Sequence, residues 1–402
     1  MRDADVIVVG AGPGGSVTAM LLARQGWNVL LLDRARFPRE KVCGDGLTPR
    51  AVHTLQQLGL ESHVAAHAFA VTHARLVAPS GVSFSLPFDP HVSPLPPRGY
   101  VLPRLRLDDL LRQEAVAAGS RFLAGARVRD VLQDGRRVVG VVVEREGTVS
   151  TYRARLVILA VGANIALLRR LGLVSQPPHE IVAVRGYWQG VENLQPALEF
   201  FFTRDLYPGY GWVFPTSEEE ANIGIGIYRS NTAKVLRSAA QVLRSFLQGN
   251  DELRERLRRA APRAQVRGYP IRTDFPSHSV AGSGWLVVGE AAGLVNPVTG
   301  EGIDLAMESA MIAAEVAHSA LLDEVDARAL WPYAWRLHRR FGHVFRGLRR
   351  LRPIVMRPRA LDILIRKAAK HPPLAARIMG ITLGTTSPYT AFLPSTWRWI
   401  LF

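Results

Sequence analysis

The sequence predicts an α/β fold: a doubly wound parallel-sheet domain assembled from separate segments, a largely antiparallel sheet, and a helical C-terminal region. Three observations support this prediction. A β-branched strand, a glycine-rich turn and a helix open the chain, a second strand with glycine-rich turns recurs at residues 284–302, and residues 71–88 alternate around Gly81 as a hairpin does. The chain has 402 residues, which at roughly 150 residues per domain favours two or three subdomains.

The N-terminal segment has the order strand, glycine turn, helix, strand. Residues 5–9, "DVIVV", precede "GAGPGG", in which Gly10, Gly12 and Gly15 have GxGxxG spacing, and "NVLLLD" closes a second strand on Asp33. The first glycine permits a tight turn, the second lets the backbone approach a pyrophosphate, and the third allows close helix packing. Asp33 stands where a ribose-binding carboxylate belongs. The sequence therefore predicts a Rossmann-type dinucleotide site formed by Gly10, Gly12, Gly14, Gly15, Asp33 and Arg34.

The segment 284–302, "GWLVVGEAAGLVNPVTGEG", decides between FAD and NAD. It is similar to the distal flavin motif of FAD-dependent reductases and hydroxylases, usually GDAAG followed by P-x-x-G-x-G. In that motif the acid bonds the ribityl chain, a role that falls here on Glu290, which is one methylene longer than the usual Asp. The helix that follows points its N-terminus at the flavin and stabilises the reduced, anionic ring. The resemblance implies FAD as the cofactor, with contacts from Gly289, Glu290, Gly300, Gly302 and Ile303.

A third segment, "VLPRLRLDDLL", fits the R-x-x-L-D-x-x-L pattern of the same class of flavoproteins. The resemblance implies that Arg104 lies over the flavin or its phosphates and that Asp108 stands at a helix start. The alternative interpretation is an ordinary amphipathic helix with an exposed arginine.

Two further segments resemble one family. "PREKVCGDG", residues 38–46, fits P-x-x-K-x-C-G-x-G, and "YGWVFPTSEEEANIGIG", residues 210–226, fits Y-x-W-x-F-P followed by G-x-G. Both patterns resemble those of the geranylgeranyl reductase family of FAD-dependent oxidoreductases, and the chain is most similar to its bacterial menaquinone reductases over most of residues 1–330. The resemblance implies a glutathione-reductase-like FAD domain and hydrogenation of an isoprene double bond in the menaquinone side chain.

The second of these segments also has a physical interpretation. Alternate residues of a strand share a face, so Tyr210, Trp212 and Phe214 would form an aromatic wall, continued by Pro215. Such a wall suits an apolar polyprenyl chain, which has no polar group to orient it. An isolated Y-x-W-x-F strand would otherwise be expected to pack its rings into a core.

Reducing an unactivated alkene needs a hydride, which reduced flavin can supply from N5, and a proton for the neighbouring carbon. Cys43, Gly44 and Asp45 are the candidate catalytic residues, and the Cys43 thiol is a candidate donor or relay within hydrogen-bond reach. Cys43 could equally position the ring by packing or serve a redox or regulatory role. Turn chemistry alone would also explain Asp45 between two glycines, and Lys41 and Arg50 are candidates for phosphate or head-group contacts.

Charge and composition predict the partners. The net charge is +16, and residues 331–371 hold twelve Lys or Arg and one acid, interleaved with aromatic residues. This pattern favours peripheral contact with an anionic membrane surface, although a helical subdomain that displays arginine outwards explains it too. No nucleic-acid motif is present. The single cysteine argues against disulfides and Cys-rich metal centres, so no metal is predicted, and a cytoplasmic location at the inner membrane face is expected.

Several alternatives stay open. Geranylgeranyl diphosphate, its chlorophyll ester or an isoprenoid lipid are other substrates of the same class, and an aromatic hydroxylase, a halogenase or a non-catalytic flavin carrier are other functions. The electron donor is NADPH, ferredoxin or another reduced carrier, which could make an electron-donor protein a partner. The predicted domains are FAD-binding residues 1–70, 100–170 and 266–325, substrate-binding residues 71–99 and 171–265, and a helical, membrane-associating region 326–402.

Overall fold

The computed structural model describes residues 2–89, 93–164, 166–174, 179–228 and 239–401. Within these ranges the strands form four sheets. In chain order the strands are β1 (Val6–Val9), β2 (Val29–Asp33), β3 (Gly46–Leu47), β4 (Phe69–Val71), β5 (His73–Val77), β6 (Ser83–Pro87), β7 (Gly99–Val101), β8 (Arg121–Ala124), β9 (Arg127–Asp134), β10 (Arg137–Arg145), β11 (Thr148–Arg153), β12 (Leu156–Leu159), β13 (His179–Gln189), β14 (Ala197–Phe201), β15 (Tyr210–Pro215), β16 (Glu220–Tyr228), β17 (Ala261–Pro262), β18 (Arg267–Arg272), β19 (Ala281–Gly282) and β20 (Trp285–Val287).

The helices of the described ranges lie mainly at the N-terminus and after residue 300. In chain order the α-helices are α1 (Pro13–Arg24), α2 (Pro49–Leu58), α3 (Glu61–Ala65), α4 (Arg104–Ala117), α5 (Ala166–Arg170), α6 (Ala239–Gly249), α7 (Asp251–Arg256), α8 (Ile303–Leu321), α9 (Ala327–Leu337), α10 (His343–Val355), α11 (Pro358–Ala368), α12 (Pro372–Thr382) and α13 (Pro394–Leu401). Short 3-10 turns at Gly289–Ala292 and Pro388–Phe392 and a π-turn at His338–Gly342 complete the set.

The six-stranded sheet has the order β19-β20-β12-β1-β2-β8. All of its neighbours are parallel except β19, which pairs antiparallel with β20. The side chains of β1, β2 and β12 are all buried, because a parallel sheet is covered on both faces and needs continuous apolar runs. The predicted strand at residues 5–9 starts one residue later, at Val6.

The eight-stranded sheet has the order β17-β13-β16-β15-β14-β5-β6, and β18 pairs with β13 as well. Its pairs are antiparallel apart from β14 with β5. The predicted hairpin is confirmed: β5 and β6 pair antiparallel around Gly81, whose φ is +85°. The pairing of β18 carries this sheet past residue 266, into the range that the sequence analysis assigns to the FAD-binding domain.

Two small sheets of three strands each complete the β-structure of the described ranges. β9, β10 and β11 form an antiparallel meander. β3 and β4 both pair with β7, so the chain that follows Cys43 is tied at once to residues 99–101. This pairing fixes the end of the cysteine loop.

The C-terminal region is helical, as predicted. Its aromatic residues divide into two groups: Tyr333, Phe341 and Phe345 are buried in the main core, whereas Trp331 and Trp335 are 60 % and 45 % exposed. The Tyr333 hydroxyl donates to the carbonyl of Val287 at 2.7 Å, which fastens α9 to β20. In the part of the chain that the structure describes, no helix combines the length and apolar character that crossing a bilayer requires.

Candidate functional site

Residues of both large sheets line one cavity of about 920 Å³. It takes in most residues proposed from the sequence, namely Gly10, Gly12, Gly14, Asp33, Arg34, Lys41, Cys43, Gly44, Asp45, Arg104, Tyr210, Trp212, Phe214, Gly289, Glu290, Gly300, Gly302 and Ile303. Gly15, Pro215 and Arg50 do not line it. Gly15 instead packs against Gly10, and Arg50 pairs with carboxylates of α8.

The glycines at the start of α1 differ in what surrounds them. A Cβ on Gly10, whose φ is +105°, would lie 2.3 Å from the carbonyl oxygen of Ala160, and one on Gly15 would lie 1.8 Å from that of Gly10. Close backbone contact therefore requires glycine at both positions. Gly12, the N-cap of α1, instead faces open space bordered by the guanidinium groups of Arg39 and Arg104 at 3.7 and 3.9 Å. That space is a cradle for an anionic group at a helix N-terminus.

Asp33 ends β2 beside this cradle. Its Oδ2 accepts from the backbone N–H of Ala11 and its Oδ1 from that of Ala35, each at 2.8 Å. Two backbone donors hold the carboxylate at the cavity wall.

Arg104 and Asp108 form a buried pair on α4. Arg104 donates from Nε and Nη2 to the two carboxylate oxygens at 2.6 and 2.8 Å, and Arg39 lies 2.8 Å from Asp108 through Nη1. The interpretation of Asp108 as a helix-start residue was wrong: α4 begins at Arg104 after Pro103, and Asp108 lies one turn inside it. Its carboxylate fixes two guanidinium groups at the cavity wall. Arg39 was not proposed from the sequence as a site residue, although it stands in the cysteine segment directly after Pro38.

Lys41 and Glu290 form a charge pair that lines the cavity. Lys41 Nζ lies 3.8 Å from Glu290 Oε2 and 3.8 Å from the centre of the Tyr269 ring. Burial lowers the pKa of Lys41, and the charge of Glu290 opposes this effect. The other oxygen of Glu290 accepts from the backbone N–H of Arg272 at 3.3 Å.

Arg272 connects β18 to the flavin-type motif. Its side chain is fully buried, donates from Nη1 to the carbonyl of Ala291 at 2.7 Å, and makes a two-pronged contact with Asp274 at 3.2 and 2.9 Å. Arg272, the last residue of β18 in the eight-stranded sheet, is thereby bonded to the turn that carries Glu290.

The second glycine-rich loop leads into α8. Gly300 has φ +74° and Gly302 is the N-cap of α8. The Tyr210 hydroxyl donates to the carbonyl of Thr299, and burial raises the pKa of Tyr210, so the phenol stays neutral. This contact attaches the loop to β15, on the opposite wall.

The cysteine loop is held by Asp45. Asp45 has a left-handed φ of +67°, is fully buried, and donates its N–H to Cys43 Sγ at 3.3 Å. Its carboxylate accepts from the Tyr187 hydroxyl at 2.5 Å, from Asn222 Nδ2 at 2.7 Å and from the Arg104 N–H at 3.2 Å. Burial raises the pKa of Asp45 to about 6, while these donors and the charge of Arg185 hold it down.

Asn222 joins the cysteine loop to the aromatic wall. Its amide donates to the carbonyl of Cys43 at 2.8 Å as well as to Asp45, and its oxygen accepts from Trp212 Nε1 at 2.9 Å. Neither Asn222 nor Tyr187 was proposed from the sequence. The available signal was Asn222, a polar side chain in a fully buried strand, and Tyr187 lies opposite it in the strand pairing.

The aromatic wall consists of neighbouring rings on β15 and β14. Tyr210, Trp212 and Phe214 follow one another at centroid distances of 6.2 Å, and Phe200 packs edge-on against Phe214 at 5.3 Å. A Cβ on Gly44 would approach the Phe214 ring to 3.0 Å. The cysteine loop therefore rests directly on the wall, and glycine at position 44 keeps the two in contact.

The cavity thus has a cationic part and an aromatic part. Arg39 and Arg104 line it near the N-terminus of α1, Arg34 also lines it, and Tyr210 of the aromatic wall reaches the loop before α8. Two helix N-termini, guanidinium groups and an open glycine cradle fit a dinucleotide diphosphate. The residues present therefore fit FAD.

Three comparisons identify relatives. A family model described as an FAD binding domain matches residues 3–339. A menaquinone reductase of Mycobacterium tuberculosis is 39 % identical over 366 residues, covering 89 % of this chain and 85 % of that protein. A digeranylgeranylglycerophospholipid reductase of Methanopyrus kandleri is 37 % identical, covering 85 % and 84 %.

A solved structure shows the same fold. A geranylgeranyl bacteriochlorophyll reductase-like protein of Thermoplasma acidophilum superposes with a TM-score of 0.83 at 23 % identity, covering 99 % of this chain and 100 % of that one. The family model, the relatives and the cavity agree on an oxidoreductase whose cofactor is FAD. The chain belongs to the geranylgeranyl reductase family of FAD-dependent oxidoreductases.

Proposed function

We propose that this protein is a prenyl reductase that hydrogenates an isoprene C=C bond, with the side chain of menaquinone as its preferred substrate. The observation that carries the proposal is the aromatic wall, which lies in the same cavity as the glycine-rich loop before α8. Apolar, ring-lined space suits a hydrocarbon chain. The name of the Mycobacterium tuberculosis relative favours menaquinone.

The residues that would hold FAD follow from the geometry. In a Rossmann-type, glutathione-reductase-like arrangement, Gly12 and the α1 N-terminus would receive the diphosphate and Asp33 the ribose. Glu290 would contact the ribityl chain, and the N-terminus of α8 would face the ring. When bound and reduced, FAD supplies a hydride equivalent from N5.

The protein residues would orient the alkene and exclude water from it. The rings of Tyr210, Trp212 and Phe214 would bind the chain, and the Cys43–Gly44–Asp45 loop would limit how far it can move. Asp45 is surrounded by donors and rests in a strained backbone conformation, which suits a residue that fixes the loop. Cys43 would occupy the space beside the alkene.

We also propose the domain division stated from the sequence, with the FAD-binding segments 1–70, 100–170 and 266–325 and the substrate-binding segments 71–99 and 171–265. The separate buried clusters in the two large sheets support it. Strand β18 pairs with β13 in the eight-stranded sheet, and its last residue is hydrogen-bonded to Glu290. This connection supports a site at the junction of these domains.

The test is anaerobic incubation of chemically reduced holoenzyme with menaquinone, geranylgeranyl diphosphate and an unsaturated isoprenoid lipid, followed by mass spectrometry. We expect the menaquinone to gain two hydrogen atoms in its side chain. Gain in only one of the other substrates would transfer the assignment to that substrate; of the two, the isoprenoid lipid is the class named for the Methanopyrus relative. Product that forms only with oxygen would instead indicate a hydroxylase or halogenase.

We further propose that the C-terminal helices contact the cytoplasmic face of an anionic membrane, from which a lipid substrate is drawn. Arg346, Arg349, Arg350 and Ile354 are exposed on one side of α10, and α11 continues the surface with an exposed Ile363. Basic residues at a lipid surface contribute about 1 kcal/mol each.

Vesicle sedimentation tests this contact. Arg349→Glu with Arg350→Glu should weaken binding to vesicles containing anionic lipid by at least about tenfold, because two attractive charges become repulsive. The matched control, Arg136→Glu with Arg145→Glu, changes the same net charge on the exposed β9–β11 meander. Equal loss in both double variants, or binding that is insensitive to salt and anionic lipid, would overturn the proposal.

A further inference from the structure

Glu301 is an acid of the cavity that lies between Gly300 and Gly302. Its N–H donates to Thr299 Oγ1 at 3.4 Å and its carbonyl accepts from the N–H of Asn296 at 2.7 Å, so its backbone is fixed. Oε2 accepts from the Thr299 hydroxyl at 3.1 Å. Oε1 is buried in the cavity wall with almost no accessible surface, and it has no hydrogen-bond partner among the described residues. Buried polar atoms are almost always satisfied, so an unsatisfied one in a substrate cavity requires an explanation.

The neighbouring cation serves other carboxylates. Arg50 Nε lies 2.5 Å from Glu308 and 3.4 Å from Asp304, and Arg340 adds a second contact to Glu308 at 3.2 Å. Within the described ranges, Glu301 has no ion pair. It faces the charge of Asp304 without a counter-ion of its own.

This environment favours the protonated carboxyl. Burial raises the pKa of Glu301 to about 7, and the charge of Asp304 raises it as well. The hydroxyls of Thr48 and Thr299 and the charge of Arg50 act in the opposite direction. Burial also raises the pKa of Asp304, so the two acids compete for ionisation.

Charged and titratable groups approach Glu301 from four elements. α2 contributes Arg50, α8 contributes Asp304 and Glu308, the π-turn contributes Arg340 through Glu308, and β15 contributes Tyr210, which also faces Tyr228 and Cys43. Burial raises the pKa of Tyr210, which therefore stays neutral. Within this group the pKa of Glu301, raised to about 7, lies near neutral pH.

We propose that Glu301 is the carboxylic acid that protonates the alkene, an inference that rests on the prenyl reduction proposed above. In the step, the C=C π bond breaks and two C–H bonds form. One carbon receives a hydride, with both electrons coming from the reduced cofactor, which is left oxidised. The π electrons form the second C–H bond to the proton of the Glu301 O–H, and a carboxylate remains until solvent returns the proton.

The other acids of the cavity suit this role less well. Asp45 accepts three hydrogen bonds, from Tyr187, Asn222 and Arg104, so donors occupy the oxygens that would have to present a proton. Cys43 Sγ accepts the Asp45 N–H. Glu301 has an oxygen without a partner, and the adjacent Gly300 approaches the Tyr210 hydroxyl, since a Cβ there would lie 3.1 Å from it. The acid is therefore next to the aromatic wall.

The experiment compares Glu301→Gln with Glu315→Gln in chemically reduced holoenzyme, mixed anaerobically with menaquinone. Glu315 lies on the same helix and is exposed, so its variant controls for the loss of one carboxyl. Glu301→Gln should slow formation of saturated product by about 10²–10⁴-fold, the usual contribution of a general acid. FAD content should not change. In the wild type, product formation should fall as pH rises through about 7, because the proton donor is lost.

A second measurement does not depend on turnover. Infrared difference spectra of oxidised holoenzyme between acid and alkaline pH should contain a carboxylic acid band that Glu301→Gln removes and Glu315→Gln keeps. Undiminished product from Glu301→Gln, or an unchanged infrared band, would overturn the role of Glu301. Absence of saturated product from the wild type would overturn the proposed function instead, so the two failures are distinguishable.

Discussion

Replacing Tyr187 by Phe removes one donor from a buried carboxylate and changes nothing else in shape. The Tyr187 hydroxyl lies 2.5 Å from Asp45 Oδ2. A hydrogen bond to an ionised group contributes about 1.5–3 kcal/mol, against about 0.5–1.5 kcal/mol between neutral partners. Each difference of about 1.4 kcal/mol corresponds to about one pKa unit, so the variant should have an Asp45 pKa still further above the wild-type value of about 6.

The sign of the pH dependence follows from linkage. The folded-state pKa of Asp45 is raised from its ordinary value of 3.8 to about 6, so the folded protein binds the extra proton between these values. Stability therefore falls as pH rises through this window, and the wild-type donors limit that fall. At about pH 8 the Tyr187→Phe variant should lose about 1.5–3 kcal/mol relative to wild type, and at about pH 5 only about 0.5–1.5 kcal/mol.

The assay is urea unfolding of the holoprotein at both pH values, followed by tryptophan fluorescence. Tyr389→Phe, at an exposed tyrosine of the C-terminal region, is the matched control and should cost little at either pH. An equal loss for Tyr187→Phe at both pH values would refute the reasoning, since Asp45 would then not be the group whose charge the hydroxyl stabilises.

Two further predictions concern the glycine turn and the thiol. Gly15→Ala should abolish FAD retention, measured as flavin absorbance per protein, because its Cβ would lie 1.8 Å from the Gly10 carbonyl, whereas Gly249→Ala has open space and should retain FAD; equal FAD content in both variants would contradict the close-packing argument. Cys43→Ala should keep the alkaline loss of product formation expected from Glu301 and lower the rate by less than about tenfold, because we propose that the thiol packs beside the alkene and that Glu301 supplies the proton; loss of that pH dependence would assign the proton to the thiol.

Motifs such as the glycine turn and the hairpin could be predicted from the sequence because they depend on residues that lie close together along the chain. The glycines of "GAGPGG" and Asp33 belong to one βαβ unit, in which spacing along the chain determines spacing in the fold. The hairpin at Gly81 follows from alternation and one turn residue. The resemblance to a family then supplied the cofactor, which spacing alone could not distinguish from NAD.

The contacts that hold the site together could not be predicted in this way. Asn222 and Tyr187 reach Asp45 across 177 and 142 residues, through strand pairings that the sequence does not specify. Glu301 was passed over because its motif was interpreted through its glycines. Asp108 was misplaced because a pattern indicates a helix more reliably than it indicates the residue at which the helix begins.

The bond from Arg272 to Ala291 has a thermodynamic consequence. Strand β18 of the eight-stranded sheet ends on the turn that carries Glu290, through a buried guanidinium and a backbone N–H. If a prenyl ligand displaces β18, it changes the free energy of FAD binding, and FAD must then change the affinity for that ligand by the same factor. Because the coupling factor is the same in both directions, the FAD affinity can be measured with and without a saturating prenyl lipid. The ratio of the two affinities reports whether the lipid displaces β18, and it requires no turnover.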